Sequence, residues 1–258
     1  MNFVFMLTHN DSTVPDAAKV YDSLRGTALH YVGFKDIGAT PDELAVVAEK
    51  AHADGLEVML EVVSTSRESE LVSLEAARQI GVDWILGGTH ADDGVRILAG
   101  SDIKYCPFPG RIDGHPSVLL GSIAEISQDA RNLSALDGVY GLDLLAYRSP
   151  DQDPIALTRD VVVASAGPVV VAGSIARPEQ IRLVAAAGAW GFTIGGAIFE
   201  GRLPGAPDLA GQITEVLNLT ATAQARDKRA QRKRPDREAA TGKAARPGAR
   251  LAAQRPVL

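Results

Sequence analysis

The sequence predicts a single (β/α)8 barrel of the α/β class (a TIM barrel), and three observations support this fold. Eight short apolar runs alternate with segments of helical period over residues 1–223. The runs are nearly continuously apolar, which is typical of parallel strands buried on both faces. No G-x-G-x-x-G motif follows the first run, so the competing doubly wound open sheet lacks its dinucleotide-binding signature.

The predicted strands and helices follow one another in regular order. Between the strands, apolar residues recur at spacings of three and four, as on a helix that covers a sheet. Several helical segments end in glycine, and Pro41 and Pro178 occupy first-turn positions, where proline is tolerated. The clearest helical segments are PDELAVVAEKAHADG, ESELVSLEAARQIG, SIAEISQDARNLSALDG and RPEQIRLVAAAG. The predicted strands lie at 2–7, 31–34, 56–63, 83–87, 103–108, 139–146, 168–172 and 191–195.

The end of the chain, residues 224–258, differs from the rest in composition. It holds 11 Lys and Arg against 3 Asp and Glu, whereas residues 1–223 hold 15 and 29. The tail has no aromatic residue and little hydrophobic period, so it buries too little apolar surface to offset its ordering entropy. We therefore expect a disordered basic tail beyond the last helix. Without a recognisable module or interleaved aromatic residues, it is not expected to bind nucleic acid.

Composition also argues against several classes of protein. No apolar run reaches the roughly 18 residues of a membrane span, and the N-terminus lacks the basic start of a signal peptide. The single cysteine, Cys106, excludes an intrachain disulfide framework and is expected to be a buried small hydrophobic residue. These features predict a cytoplasmic protein with no membrane partner, and they leave a homo-oligomer open.

Two predicted strands are followed by small residues, which leave the backbone accessible, rather than by large side chains. The seventh is followed by Gly173 and Ser174 in PVVVAGSIARPEQI, and the eighth by Gly195 and Gly196 in WGFTIGGAIFEG. The loops after strands seven and eight of a barrel commonly hold a phosphate, because glycine lets backbone N–H groups approach the anion. A short helix in AIFEG would add its positive N-terminal end. The alternative is that these glycines only form tight turns.

Four polar side chains lie at other predicted strand ends. Lys35 either forms a Schiff base with a carbonyl or stabilises an enediolate as an electrophile. Glu61 is the predicted general base and Asp143 the complementary acid or base, while His90 is either a further proton carrier or a hydrogen-bonding residue at the rim. A purely structural ion pair of Lys35 with Glu61 or Asp36 is the alternative.

The loop PFPGRIDGHPS after the fifth strand is predicted to close over a bound anion through Arg111 and His115. The alternative is a surface loop without a role. A metal-dependent reaction would draw on Asp36, Glu61, His90 and Asp143, but their separations form no compact metal-ligand spacing. Neither a metal nor another cofactor is therefore predicted.

The stretch VVVAGSI…PEQI…AGAWGFTIGGAIFEGRL resembles the closing phosphate motif of the ribulose-phosphate-binding barrels, specifically the histidine-biosynthesis isomerases. This resemblance covers residues 168–203. A faint repeat, ARQIGVDWILGGTH against VAAAGAWGFTIGGA, is similar to the two-fold repeat of those isomerases, with GGTH as a weaker second phosphate contact. Two departures matter. The isomerases carry an acid at the end of the first strand, whereas in MLTHND Asp11 lies beyond that strand. The third strand carries Glu61 rather than the histidine of the pentulose-phosphate epimerases. The resemblance therefore implies a phosphorylated substrate, but not the catalytic residues.

Together these features predict an enzyme of carbohydrate metabolism that acts on a small phosphorylated sugar or sugar acid. The predicted reaction is an isomerisation or epimerisation through an enediolate. Two alternatives stay open: a Schiff-base aldolase or lyase that uses Lys35, and a non-catalytic protein that binds a phosphorylated metabolite.

Overall fold

A computed structural model describes residues 1–232, with side chains described as far as Ala225. Eight parallel strands form one sheet that curves into a nearly closed barrel, which confirms the predicted (β/α)8 fold. The strands are β1 (Asn2–Met6), β2 (Tyr31–Lys35), β3 (Glu57–Val62), β4 (Trp84–Gly87), β5 (Lys104–Cys106), β6 (Leu142–Leu144), β7 (Val169–Val171) and β8 (Gly191–Ile194). Their order in the sheet is β6-β7-β8-β1-β2-β3-β4-β5.

The barrel closes between β5 and β6. Tyr105 and Val139 form an isolated parallel bridge. The N–H of Tyr140 donates to the carbonyl of Tyr105 at 2.8 Å, and that of Asp143 donates to the carbonyl of Pro107 at 3.1 Å. These bonds complete the ring of strands and place Asp143 in the barrel wall.

The helices follow the strands as the periodicity predicts. Thr40, Ser66 and Ser122 form capping boxes at three helix starts, and Pro41 and Pro178 lie in first turns as expected. The helices are α1 (Ala17–Asp22), α2 (Pro41–Ala53), α3 (Arg67–Ile80), α4 (Ala91–Ile97), α5 (Ile123–Ser134), α6 (Pro154–Ala164), α7 (Pro178–Ala186), α8 (Gly196–Phe199) and α9 (Leu209–Arg232).

Helix α9 continues beyond residue 223, where the sequence placed the end of the barrel, as far as Arg232. Ala, Gln, Lys and Arg are frequent between 223 and 232, and all of them favour the helix without requiring an apolar stripe. The rest of the predicted tail, 233–258, lies outside the described residues. Within residues 1–232, no helix has both the length and the apolar character needed to cross a bilayer.

Side chains alternate between the barrel interior and the layer beneath the helices. The interior layer contains Val4, Met59, Leu86, Cys106 and Val170, all fully buried. Along β2 and β3, every second residue shares the orientation of Met59, so Glu61 and its cross-strand partner Lys35 point into the barrel above this layer. Cys106 is buried, as predicted.

Two short hairpins that the sequence did not predict lie outside the barrel sheet. The first pairs Thr8–His9 with Ser12–Thr13 directly after β1. The second pairs Arg111–Asp113 with Val118–Leu120 in the segment predicted as a closing loop.

Candidate active site

A cavity of about 290 Å³ opens at the carboxyl ends of β1, β2, β3, β7 and β8. Among the described residues, no aromatic side chain lines it. The predicted site residues that line it are Lys35, Glu61, Gly173, Ser174, Gly195 and Gly196. Lining residues that the sequence analysis did not assign to the site include Thr8, Asn10, Asp11, Arg148, Thr193, Glu200 and Arg202.

Lys35 and Glu61 face each other because β2 and β3 pair in register at these two residues. Both side chains are buried, and Lys35 Nζ lies 3.9 Å from Glu61 Oε2. Glu61 lines the cavity, and its carboxylate accepts no hydrogen bond from any residue that the structure describes. A buried carboxylate without donors is costly, and such an arrangement is typical of functional sites.

Asp11 joins Lys35 to a second cation, Arg148. Oδ1 of Asp11 accepts hydrogen bonds from Lys35 Nζ at 2.7 Å and from Arg148 Nη2 at 2.5 Å. Burial raises the pKa of Asp11, but the hydrogen bonds and charges of Arg148 and Lys35 outweigh it and lower the pKa to about 2. Asp11 is therefore an anion throughout the physiological pH range.

The first hairpin brings Asp11 to this position. Asn10 and Asp11 form its two-residue turn, and both have left-handed backbone angles, with φ of 49° and 58°. The hydroxyl of Thr13 donates to the carbonyl of Lys35 at 2.8 Å and accepts from its N–H at 2.9 Å, which ties the hairpin to the end of β2.

Asp143 lies beneath the cavity and does not line it. Its side chain is fully buried, and neither carboxyl oxygen has a hydrogen-bond partner within residues 1–232. Burial raises the pKa of Asp143 well above its ordinary value; the charge of Glu61 adds to this, while Lys35 and Arg148 oppose it. The carboxyl group is therefore held in its neutral, proton-bearing form.

The loops after β7 and β8 both line the cavity. In the described part of the chain, the N–H groups of Gly173, Ser174, Gly195 and Gly196 donate to no protein acceptor. Gly173 and Ser174 both have left-handed φ, 76° and 58°, which is a strained conformation for a serine. Gln180 holds this loop, since its amide donates to the carbonyl of Ser174 at 3.2 Å. Helix α8 begins directly at Gly196.

Not all of these glycines serve an anion. A Cβ atom on Gly195 would collide with the hydroxyl of Thr8, and one on Gly173 would lie 2.5 Å from Arg148 Nε, so protein packing alone requires both glycines. At Gly196, the nearest atoms would be 3.8 Å away, and its φ is not positive. Gly196 is therefore the glycine that packing does not explain.

The GGTH loop after β4 differs from its counterpart after β8. The N–H of Gly88 donates to the carbonyl of Val62 at 3.0 Å, and those of Thr89 and His90 donate to Glu70 at 2.9 Å. These donors are already used, and the carboxylate of Glu70 would repel an anion. The N–H groups of Gly88, Thr89 and His90 are therefore not available to bind a second phosphate.

His90 lies away from the cavity of Lys35 and Glu61. It precedes α4, and its Nδ1 is 2.7 Å from Oε2 of the fully buried Glu70. It lines a separate cavity of about 440 Å³ together with Asp92, Asp93 and Asp129. The structure thus does not bring His90 together with the other predicted catalytic residues.

Arg111 and His115 lie on the second hairpin, where both are exposed. Neither residue lines the cavity of Lys35 and Glu61. Their neighbours Ile112, Asp113 and Gly114 line a smaller pocket of about 120 Å³ beside the ends of β3 and β4. Closure of this hairpin over a substrate stays a prediction.

Within residues 1–232, no group of three or more His, Cys, Asp or Glu side chains is arranged to hold a metal ion. Asp36, which a metal-dependent reaction would have drawn on, accepts hydrogen bonds from Val63 N–H at 3.0 Å and from the hydroxyls of Ser64 and Ser73. Its carboxylate therefore ties the end of β3 to α3.

Comparison with known proteins places the fold among (β/α)8 barrels. No protein-family model and no curated protein matches the sequence. Orotidine 5′-phosphate decarboxylase from Pyrococcus horikoshii OT3 superposes with a TM-score of 0.62 at 12% identity, over 85% of this chain and 99% of that chain. The tryptophan synthase A-subunit from Pyrococcus furiosus gives 0.56 at 15% identity, over 84% and 97%.

A third structure, tryptophan synthase from M. tuberculosis, gives a TM-score of 0.59 at 12% identity, over 86% of this chain and 92% of that chain. At such low identity these similarities establish the (β/α)8 fold of the chain. The resemblance to the histidine-biosynthesis isomerases stays a prediction.

Asp11 and Arg148 are the principal site residues that sequence reasoning left without a role. A local signal exists for Asp11, because Asn10 and Asp11 between Thr8 and Thr13 suit a two-residue turn with positive φ. Arg148 follows β6 and is 137 positions from Asp11 in the chain, so no local pattern predicts their contact.

Proposed function

We propose that this protein is an enzyme that acts on a small phosphorylated sugar or sugar acid, as an isomerase or epimerase working through an enediolate. One observation carries the proposal. One small cavity is lined both by the loops after β7 and β8, whose N–H groups have no acceptor among the described residues, and by the buried pair Lys35 and Glu61.

The two glycine loops support binding of a phosphate group. Their four N–H groups have no protein acceptor among the described residues, and both loops face the same cavity. Gly173, Gly195 and Gly196 are partly exposed and Ser174 is exposed, so their N–H groups are open to a ligand, and a phosphate supplies several acceptor oxygens. One solved structure with this fold is an orotidine 5′-phosphate decarboxylase, an enzyme named for a phosphate ester, and this similarity also supports the proposal.

The size and lining of the cavity favour a short, hydroxylated ligand. A volume of about 290 Å³ is at the lower end of the range for small-molecule sites. No aromatic side chain within residues 1–232 lines it, so a nucleobase would find no stacking partner there. We therefore propose a sugar-sized phosphate ester.

The proton chemistry follows from Lys35 and Glu61, which line the cavity, and from Asp143 beneath it. Glu61 removes a proton from the carbon next to a carbonyl, and the electron pair moves to the carbonyl oxygen. The ammonium group of Lys35 stabilises the resulting oxyanion. In an isomerase, the hydroxyl proton of the enediolate moves to the former carbonyl oxygen and Glu61 returns its proton to the former carbonyl carbon, so that the carbonyl group changes position. An epimerase needs a second acid on the opposite face of the carbon; Asp143, which is neutral but buried beneath the cavity, would have to become accessible to serve as that acid.

Lys35 suits the role of an electrophile better than that of a nucleophile. It donates to Asp11 and lies near Glu61, so two carboxylates accompany its ammonium group. A Schiff-base aldolase requires the neutral amine. Covalent attachment of a substrate to Lys35 after borohydride treatment would assign the aldolase reaction instead.

Gly196→Ala tests the phosphate site. The added methyl group meets no protein atom closer than 3.8 Å, so we expect the variant to fold normally while the methyl obstructs the anion. Thermal unfolding of the full chain is measured with matched phosphorylated and unphosphorylated three- to six-carbon sugars and sugar acids. At 100 times its dissociation constant, a phosphorylated ligand should stabilise the wild type by about 2.7 kcal/mol, and the variant far less.

The unliganded melting temperature of Gly196→Ala is the internal control, and it should equal or slightly exceed that of the wild type. Equal stabilisation of the wild type and the variant by phosphorylated ligands would show that the anion binds elsewhere. Stabilisation by no phosphate ester, in buffer free of inorganic phosphate, would refute the proposed site.

Glu61→Gln tests the proton transfer. The amide keeps the shape of the side chain but cannot accept the carbon-bound proton, so we expect substrate binding to persist and turnover to fall by about 10³-fold. The measurement is deuterium uptake from D₂O into the bound ligand, followed by NMR. Uptake by the wild type alone supports the enediolate; ligand binding without uptake by either protein would favour a non-catalytic binding protein.

A further inference from the structure

Lys35 and Arg148 converge on one carboxylate oxygen, Oδ1 of Asp11. Among the side chains described as far as Ala225 and the backbone of residues 1–232, the Asp11 side chain accepts no other hydrogen bond. Asp11 lies in a two-residue hairpin turn, and its side chain is 17% exposed. Among the described residues, Lys35 and Arg148 alone thus form the hydrogen bonds that hold the Asp11 carboxylate in position.

The position of Arg148 does not depend on Asp11 alone. Its side chain packs along the loop after β7, where a Cβ on Gly173 would lie 2.5 Å from Nε and 2.9 Å from Cδ. Nε is buried and has no hydrogen-bond partner in the described part of the chain. Packing therefore keeps the guanidinium group at the cavity, directly beside the proposed phosphate loop.

We propose that Lys35 and Arg148 form a carboxylate-binding subsite, which Asp11 occupies in the unliganded protein. The substrate would then be a phosphorylated sugar acid rather than a neutral sugar phosphate. This inference rests on the proposed phosphate site, because the subsite adjoins Gly173 and one short ligand spans both. The ligand carboxylate replaces that of Asp11, which turns outward on its hairpin.

Charge supports such an exchange. Removing Asp11 from two largely buried cations is costly unless another anion takes its place. A ligand carboxylate restores the neutral balance, and a guanidinium group suits a carboxylate geometrically. A ligand that carries only a phosphate has no group for this position, and Asp11 then stays paired.

The test uses the full chain and two matched ligand pairs, with affinities measured by calorimetry. The first pair is 2-phosphoglycolate and ethyl phosphate; the second is 3-phosphoglycerate and glycerol 3-phosphate. In the wild type, we expect the better-fitting carboxylate ligand to bind about tenfold more tightly than its partner. Asp11→Asn removes the internal competitor, so this preference should rise by about another tenfold, while ethyl phosphate and glycerol 3-phosphate change little.

Arg148→Met is the matched second variant, and it should abolish the preference while the phosphate-only ligands still bind. If Asp11→Asn weakens both members of each pair equally, Asp11 only orders the site and the proposal is wrong. Binding of all four ligands without a carboxylate preference, in the wild type and both variants, overturns the subsite but leaves the phosphate site intact. If none of the four binds, the proposed function fails as well.

Discussion

Asp11 and Asp143 are two carboxyl groups whose pKa values move in opposite directions in one site. Asp11 is held by Lys35 and Arg148, which lower its pKa to about 2 despite partial burial. Asp143 has no donor among the described residues, and burial raises its pKa. A permanent anion at the cavity thus lies above a buried carboxyl group that retains its proton.

Asp143→Asn tests the protonation of Asp143 through the pH dependence of stability. Above the unfolded-state pKa of about 3.9, the unfolded wild type loses the Asp143 proton while the folded protein keeps it. The folded state then binds more protons, so the free energy of unfolding contributed by this group falls as pH rises toward the raised pKa. Asparagine does not titrate, so the variant lacks this loss.

The stability of Asp143→Asn relative to the wild type should therefore increase as pH rises from about 4 toward the raised pKa of Asp143, by at most about 1.4 kcal/mol per pH unit. Urea unfolding across this range provides the measurement. A stability difference that is independent of pH would show that Asp143 ionises alike in both states.

At the scale of elements, the first hairpin links the ends of three strands. It follows β1, its Thr13 bonds to the end of β2, and its Thr8 packs against Gly195 after β8. On the other side, a Cβ on Gly38 would collide with Ser12 Oγ and would lie 2.5 Å from the Thr13 carbonyl. The hairpin is thus enclosed by two glycines, and Asp11 reaches the cavity because both permit close approach.

Gly38→Ala should displace the hairpin. We expect a loss of about 1–3 kcal/mol from overpacking, in addition to about 1 kcal/mol for its φ of 93°. Activity should also fall, because Asp11 moves away from Lys35. Gly55→Ala is the matched control, since Gly55 has a φ of 81° but no atom within 4 Å of the added methyl.

Chemical denaturation of both variants separates the two costs. The difference between Gly38→Ala and Gly55→Ala measures the packing of the hairpin alone. Equal losses of stability, with unchanged activity, would mean that the hairpin accommodates the methyl group without moving Asp11.

At the scale of the whole molecule, the two ends of the barrel differ in packing and polarity. At the amino ends of the strands, Trp84 contacts Tyr140 at a ring distance of 5.1 Å and Trp190 at 4.9 Å. Lys104 lies 4.5 Å above the ring of Trp84 and pairs with Glu57 at 2.8 Å. This end is filled with packed rings, whereas the carboxyl end is open and polar, as is usual for barrel enzymes.

The sequence predicts much of the site because parallel strands place their carboxyl ends on one face. The periodicity of apolar residues and the positions of the glycines suffice to locate the strand ends, and hence Lys35, Glu61 and the glycine loops after β7 and β8. The same reasoning also included His90, which lies at a strand end but beside Glu70 in another cavity. A strand end specifies the face of the barrel but not the position around its rim.

By itself, the sequence determined the (β/α)8 fold, the order of its elements and the two glycine loops, because these depend on local period and turn chemistry. Only the tertiary structure decided which polar groups meet. Asp11 contacts Arg148 across 137 positions, Glu70 takes the N–H groups of the GGTH loop, and Asp143 is buried without a partner among the described residues. Such contacts arise from strand register, barrel closure and helix packing, which join segments that are far apart in the chain.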